Sequence, residues 1–165
     1  MIISKATQKN IPTIQNLAKE SWNSAYAHIL EQKQIDYMLG LMYSESTLKT
    51  HFKNPNYQYY LIQEDEVFLG FIGFEFHNEP ETTKLHRIYF LKEAQGKGLG
   101  KKALEFVKTE TEKAGDKRLT LTVNKNNDAK KFYESQGFKV YDEAIFDIGN
   151  SYVMDDYLME FIIAK

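Results

Sequence analysis

The chain contains no cysteine. That excludes a disulfide framework and any cysteine–zinc site, and it is compatible with a cytoplasmic location. No stretch approaches the roughly 18 consecutive apolar residues of a membrane-spanning helix. The opening residues, Met1-Ile2-Ile3-Ser4-Lys5, lack the apolar run of a secretory signal. Neither sign of charge dominates: 21 Lys and Arg stand against 23 Asp and Glu, a net charge of −2, so the composition carries no nucleic-acid footprint. There is no internal repeat and no low-complexity tract.

What is present is the composition of a folded chain. Eleven Tyr and eleven Phe supply large apolar side chains. The 165 residues fit one domain, 1–165, able to bury a core without staples.

The segment Leu85 to Ala114 organises the rest. It opens with a strand-like run, Leu85 to Leu91, followed by a turn at Lys92-Glu93-Ala94. Then comes Gln95-Gly96-Lys97-Gly98-Leu99-Gly100, and a helical pattern through Leu99, Ala103, Phe106, Val107 and Ala114. Gly115 stands where a helix stops. A strand, a glycine loop and a helix start together form an anion site. The first helical turn carries amides with no intrahelical partner, and the helix dipole adds positive charge there. Glycines let the backbone approach a phosphate closely. Lys97, Lys101 and Lys102 add full charges beside those amides.

Two familiar phosphate loops fail on inspection. A P-loop ending at Gly100-Lys101 needs Gly where Gln95 stands and Ser or Thr where Lys102 stands. A dinucleotide fingerprint needs Gly where Lys101 stands. The segment does satisfy Q-x-x-G-x-G, through Gln95, Gly98 and Gly100. A second segment, Asn126 to Phe138, satisfies N-x-x-A-x-x-x-Y-x-x-x-G-F, through Asn126, Ala129, Tyr133, Gly137 and Phe138. On these two motifs the chain resembles the GNAT superfamily of N-acetyltransferases. Its general layout looks closest to the polyamine and ribosomal-protein branches.

The remaining elements read in order. Ile2 to Ala6 is a strand. Ile11, Ile14, Leu17, Ala18 and Trp22 mark a helix with Pro12 in its first turn. A second helix covers about Gln34 to Met42, and Ser44 or Ser46 can cap a short third through Leu48 and Phe52. Tyr57 to Gln63 and Val67 to His77 form a hairpin, with bulges or close approach at Gly70 and Gly73. Residues 78–81 read as a loop. Arg118 to Val123 is a buried strand, and Asn126 to Gln136 is a helix ended by Gly137. Lys139 to Ile148 and Tyr152 to Ile163 are two strands around Gly149-Asn150. The order β-α-α-β-β-β-α-β-α-β-β implies an α/β (α+β) fold, a mixed, mostly antiparallel sheet with helices on its faces. The resemblance implies the same order, with a sheet that splays at the strand carrying the cofactor.

The resemblance implies acetyl transfer from acetyl-CoA to an amine, without a metal. The amides of Gln95, Gly96, Lys97, Gly98, Leu99, Gly100 and Lys101 would hold the pyrophosphate. The backbone of Ile88, Tyr89 and Phe90 would pair with the pantetheine arm, and the Phe90 N–H would polarise the thioester carbonyl. Asn126 matches a residue that contacts that arm; it reads equally as a helix N-cap. Tyr133 matches the general acid, and a buried Tyr in that place also reads as core. For the base, Glu75 is the first candidate, with a pKa raised between Phe74 and Phe76, and His86 is the second. Many family sites carry an acid at the start of the cofactor strand, where this chain has Lys84. Trp22 and Tyr26 are candidates for the acceptor wall as well as for the core. Asp155-Asp156, Glu79 and Glu81 can attract a cationic amine or serve only solvation. The expected acceptor is a small amine such as a polyamine, with a peptide amine or a non-catalytic acetyl-CoA sensor as the other readings. Tyr152 to Ile163 is apolar enough to pair between subunits of a homodimer.

Overall fold

The computed structural model describes residues 1–163. One seven-stranded sheet runs through it. β1 (Ile2–Lys5) leads through a 3-10 turn into α1 (Ile11–Ala25), α2 (Gln32–Met42) and α3 (Glu45–Lys53). β2 (Tyr57–Glu64), β3 (Val67–Glu79) and β4 (Thr82–Phe90) follow as a meander. α4 (Leu99–Lys113), β5 (Arg118–Asn124), α5 (Ala129–Ser135), β6 (Lys139–Gly149) and β7 (Tyr152–Ile162) complete the chain. The sheet order is β1-β2-β3-β4-β5-β7-β6, antiparallel everywhere except between β4 and β5. This is the mixed, mostly antiparallel α/β architecture that the order of elements implied.

Helices cover both faces because each carries one apolar stripe. Ile14, Leu17, Trp22, Ile35 and Leu48 close over Tyr59 and Phe71 on one side. Ala103, Leu104 and Val107 of α4 close over Ile72, Leu119 and Met159 on the other. Ser44 caps α3 by accepting the Thr47 N–H at 3.2 Å.

Three boundaries depart from the sequence reading. Residues 78–81 are not a loop: β3 continues to Glu79, β4 begins at Thr82, and a two-residue turn joins them. Asp116 stabilises this extension, accepting from the His77 N–H at 2.9 Å and from the Thr83 hydroxyl at 2.7 Å. The helix expected from Asn126 starts at Ala129, because Lys125 to Asp128 are taken up in a turn. The last turn lies at Asn150-Ser151, one residue later than expected, with Gly149 still in β6. Gly70 shows the close approach its residue type suggested. A Cβ there would meet the Tyr89 carbonyl oxygen at 2.5 Å.

Candidate active site

The site exists because β4 and β5 part company. They pair in parallel only at Thr82↔Arg118, Thr83↔Leu119 and Lys84↔Thr120. Beyond Lys84 the two strands diverge and leave a wedge. A β-bulge lies just past the parting: Phe74 faces Leu85 and Gly73 faces Arg87, so His86 is the extra residue. A bulge bends its strand and sets two successive side chains on one face. Here Leu85 and Ile88 face the α4 side, while His86 and Arg87 both face the α1 side. His86 stacks on Tyr57 at 4.9 Å, and the Arg87 guanidinium lies 4.3 Å over the Tyr43 ring.

The parting also frees backbone groups. Leu91 N–H donates to the Leu69 carbonyl, so by antiparallel alternation Tyr89 is also bonded to β3. The amides of Ile88 and Phe90 therefore point away from β3, into the wedge. One cleft of about 250 Å³ fills it, lined among others by Tyr26, His86, Phe90, Asn127 and Tyr133.

A second cleft, of about 460 Å³, runs from Ile88, Phe90 and Tyr133 over the glycine loop to Lys101. Gly98 is the N-cap of α4 at φ 71°, left-handed backbone that suits glycine. A Cβ at Gly96 or Gly98 would meet nothing within 4 Å, so the loop's outer surface is bare backbone. The first helical amide that finds a backbone acceptor is that of Lys102, bonded to the Gly98 carbonyl. The amides of Leu99, Gly100 and Lys101 are thus presented to the cleft. Lys101 lines it, while Lys97 reaches sideways to Glu64 at 3.4 Å. Donors, dipole and lysine suit a pyrophosphate, and the wedge suits an extended arm pairing with β4.

A third cleft, of about 240 Å³, opens on the α1 side, lined by Trp22, Tyr26, His86, Tyr89 and Asp156 among others. Trp22 is 1% exposed and belongs to the core, yet it also forms part of this wall. Tyr26 stands between the clefts, its hydroxyl 3.3 Å from that of Tyr89.

The titrating groups sort by surroundings. Tyr133 makes no side-chain hydrogen bond within the described residues, and its burial pushes the phenol well above its usual value, so it stays protonated. Glu75 does not have the raised pKa expected of it. Burial pushes its carboxyl up, but hydrogen bonds from His86 (3.0 Å), Asn78 (3.1 Å) and Asn54 (3.3 Å) outweigh this and bring it below the ordinary value. It stands behind His86 and lines none of the three clefts. His86 lines two of them, and its own pKa is lowered by burial against the opposing pull of Glu75. Asn126 is exposed and lines no cleft. Asn127 lines the wedge instead, in the turn that leads into α5, its side-chain oxygen accepting the Ala129 N–H at 2.9 Å. The motif's spacing to Ala129 singles out Asn126, whereas it is Asn127 whose side chain lines the wedge. Asp155 and Asp156, adjacent on β7, point to opposite faces. Asp155 pairs with Lys125, while Asp156 faces the third cleft.

A splayed sheet, a bare helix start at the splay and a protonated Tyr across the gap define a class of protein, one that receives a CoA thioester and moves its acyl group. Residues 26–154 match the family described as the Acetyltransferase (GNAT) domain. The chain belongs to that family and is an acetyl-CoA-dependent N-acetyltransferase. It is 27% identical to a spermidine N(1)-acetyltransferase of Thermoplasma acidophilum, over 93% of this chain and 94% of that protein. It is 24% identical to an uncharacterized N-acetyltransferase of Lactobacillus delbrueckii subsp. lactis, over 99% and 95%. The crystal structure of the PaiA N-acetyltransferase of Thermoplasma acidophilum in complex with coenzyme A superposes with a TM-score of 0.81. It is 26% identical and covers 96% of each chain.

Proposed function

We propose that this chain acetylates a small primary amine by direct transfer, with His86 as the base and Tyr133 as the proton donor. The observation that carries this is the wedge itself, one cleft lined by both residues from opposite walls. Acetyl-CoA supplies an acyl carbon activated by its thioester. The amides of Leu99, Gly100 and Lys101, with Lys101 itself, hold the pyrophosphate. Ile88 and Phe90 bind the pantetheine arm through their backbone, and the Phe90 N–H polarises the acyl carbonyl.

The amine arrives as an ammonium and must lose a proton. With Glu75 ionised, the 3.0 Å contact is satisfied when His86 carries its proton on Nε2. The lone pair then sits on Nδ1, ready to accept, and Glu75 stabilises the charge that His86 gains. An N–C bond forms, the C–S bond breaks, and the sulfur leaves with the bonding electrons. Tyr133 Oη donates a hydrogen bond to that sulfur. Because an ordinary thiol titrates near 8.5, below the phenol, complete transfer from Tyr133 runs uphill, and the first service of the hydroxyl is stabilisation of the thiolate.

One relative is a spermidine N(1)-acetyltransferase of Thermoplasma acidophilum, which supports a small amine as the class of acceptor. Tyr133→Phe tests the donor role. The expected result is a kcat lower by about a hundredfold with a Kd for acetyl-CoA changed less than about twofold, read by CoA release and calorimetry. An unchanged kcat removes Tyr133 from the chemistry.

A further inference from the structure

The cleft on the α1 side carries two side chains of opposite charge, neither of them in an ion pair among the described residues. Asp156, on β7, is only 7% exposed, and its Oδ1 has no hydrogen-bond partner among the described residues. A buried carboxylate oxygen left unmet costs free energy, so its survival in a cleft points to an incoming donor. Lys84, on β4, lines the same cleft, and no carboxylate lies within 4.0 Å of its ammonium among the described residues. The two do not pair with each other. Burial and neighbouring Asp155 push the Asp156 carboxyl up to about 6, and Lys84 pulls it down. The rest of the wall is mostly apolar, Trp22, Met38, Met42, Phe146, Ile148 and Met154, with the side chains of Thr122 and Asn124 also lining it.

We infer that this cleft reads a zwitterion: the acceptor is a small apolar molecule whose primary ammonium is received by Asp156 and whose carboxylate is received by Lys84, as in an apolar α-amino acid. The inference rests on the transfer reading above and narrows its acceptor. Spermidine is a poor match. Its second and third ammonium groups would lie against the apolar walls or beside Lys84, a like charge. The other acids nearby are already engaged. Glu75 holds His86, Glu79 holds Arg118 at 3.3 Å, and Asp155 holds Lys125 on the opposite face of β7. His86, Tyr26 and Tyr89 also face the cleft and bring no further negative charge at neutral pH.

The experiment compares matched acceptors that differ only in the carboxylate: L-phenylalanine against 2-phenylethylamine, and L-methionine against 3-(methylthio)propylamine, with spermidine as a third arm. CoA release gives kcat/KM, and calorimetry on the CoA-bound protein gives Kd for the same compounds. The expected result is a preference for each amino acid over its amine by about tenfold or more. In Lys84→Gln that ratio collapses towards one, through KM more than kcat. Asp156→Asn weakens both members of each pair. A wild-type preference for spermidine or for the bare amines overturns the inference, and so does a ratio unmoved in Lys84→Gln. If no amine turns over, the transfer reading fails. The zwitterion inference then stands or falls on calorimetry alone: heat with L-phenylalanine that Lys84→Gln abolishes sustains it, and no heat with either amino acid overturns it.

Discussion

The division of labour between Glu75 and His86 is a matter of single residues. Glu75 sits behind the imidazole and is held ionised by the three hydrogen bonds it accepts; on the proposed reading it positions His86 and does not take the proton itself. Its carboxylate raises the pKa of His86, while burial lowers it. On that reading the base must be neutral to act, so activity is expected to fall as pH drops through the His86 pKa. Glu75→Gln removes the group that favours imidazolium. The expected outcome is an acid limb of kcat/KM moved to lower pH, together with a smaller plateau because the base is weaker. His86→Ala should abolish that limb and cost about a hundredfold or more in kcat. A pH–rate series on the three proteins decides, and a limb that stays in place in Glu75→Gln would separate the carboxylate from the base. The carboxylate next to two phenylalanines was visible in the sequence, but its pKa was not, because the partners that lower it come from residues 54, 78 and 86.

At the scale of elements, the wedge depends on what holds β3 and β4 together at the end where they meet β5. Asp116, in the link between α4 and β5, is 3% exposed and accepts from the His77 N–H (2.9 Å), the His77 ring (2.7 Å) and the Thr83 hydroxyl (2.7 Å). It thereby ties the α4–β5 connection to the β3–β4 hairpin, beside the three residue pairs that join β4 to β5. Asp116→Asn replaces one acceptor oxygen by a donor that faces other donors. The expected cost is about 2 kcal/mol of stability, measured by urea unfolding, with the midpoint lowered. A midpoint unchanged would mean the carboxylate is replaceable by water. The same scale explains why the hairpin extension was read as a loop. Asn78-Glu79-Pro80-Glu81 has turn-forming composition, and it is distant residues, Asp116 on His77 and Thr83 and the Lys117 and Arg118 amides on the Glu81 carbonyl, that hold the strands on either side of a turn shortened to Pro80-Glu81.

Across the whole molecule, the cleft proposed for the cofactor is lined by several elements: β4, the loop before α4 with the start of α4, and Ala129, Phe132 and Tyr133 of α5. A ligand gripped by several elements stabilises the folded state as a unit. Acetyl-CoA at a hundredfold over its Kd should add about 2.7 kcal/mol, which for a chain of this size raises Tm by roughly 5–10 °C. Thermal melts with and without acetyl-CoA measure this. The increment should shrink in about 1 M salt, where screening weakens the pull of Lys101 on the pyrophosphate. A Tm that acetyl-CoA leaves unmoved would speak against the clasp.

By itself the sequence determined what is local. The helix start at Gly98, the amides after it, the stripe of α4 and the position of Tyr133 follow from spacing, because a helix and its cap are built within a few residues of chain. The tertiary structure alone decided what depends on residues brought together from afar. The bulge at His86 arises from the register between β3 and β4, and no residue type in β4 announces it. That Asn127 lines the wedge and Asn126 does not, that Glu75 stands behind His86 and that Asp156 Oδ1 is left without a partner among the described residues all follow from where strands diverge. Strand register and divergence are set by the packing of the whole sheet between its helices, and so are not encoded in any one stretch.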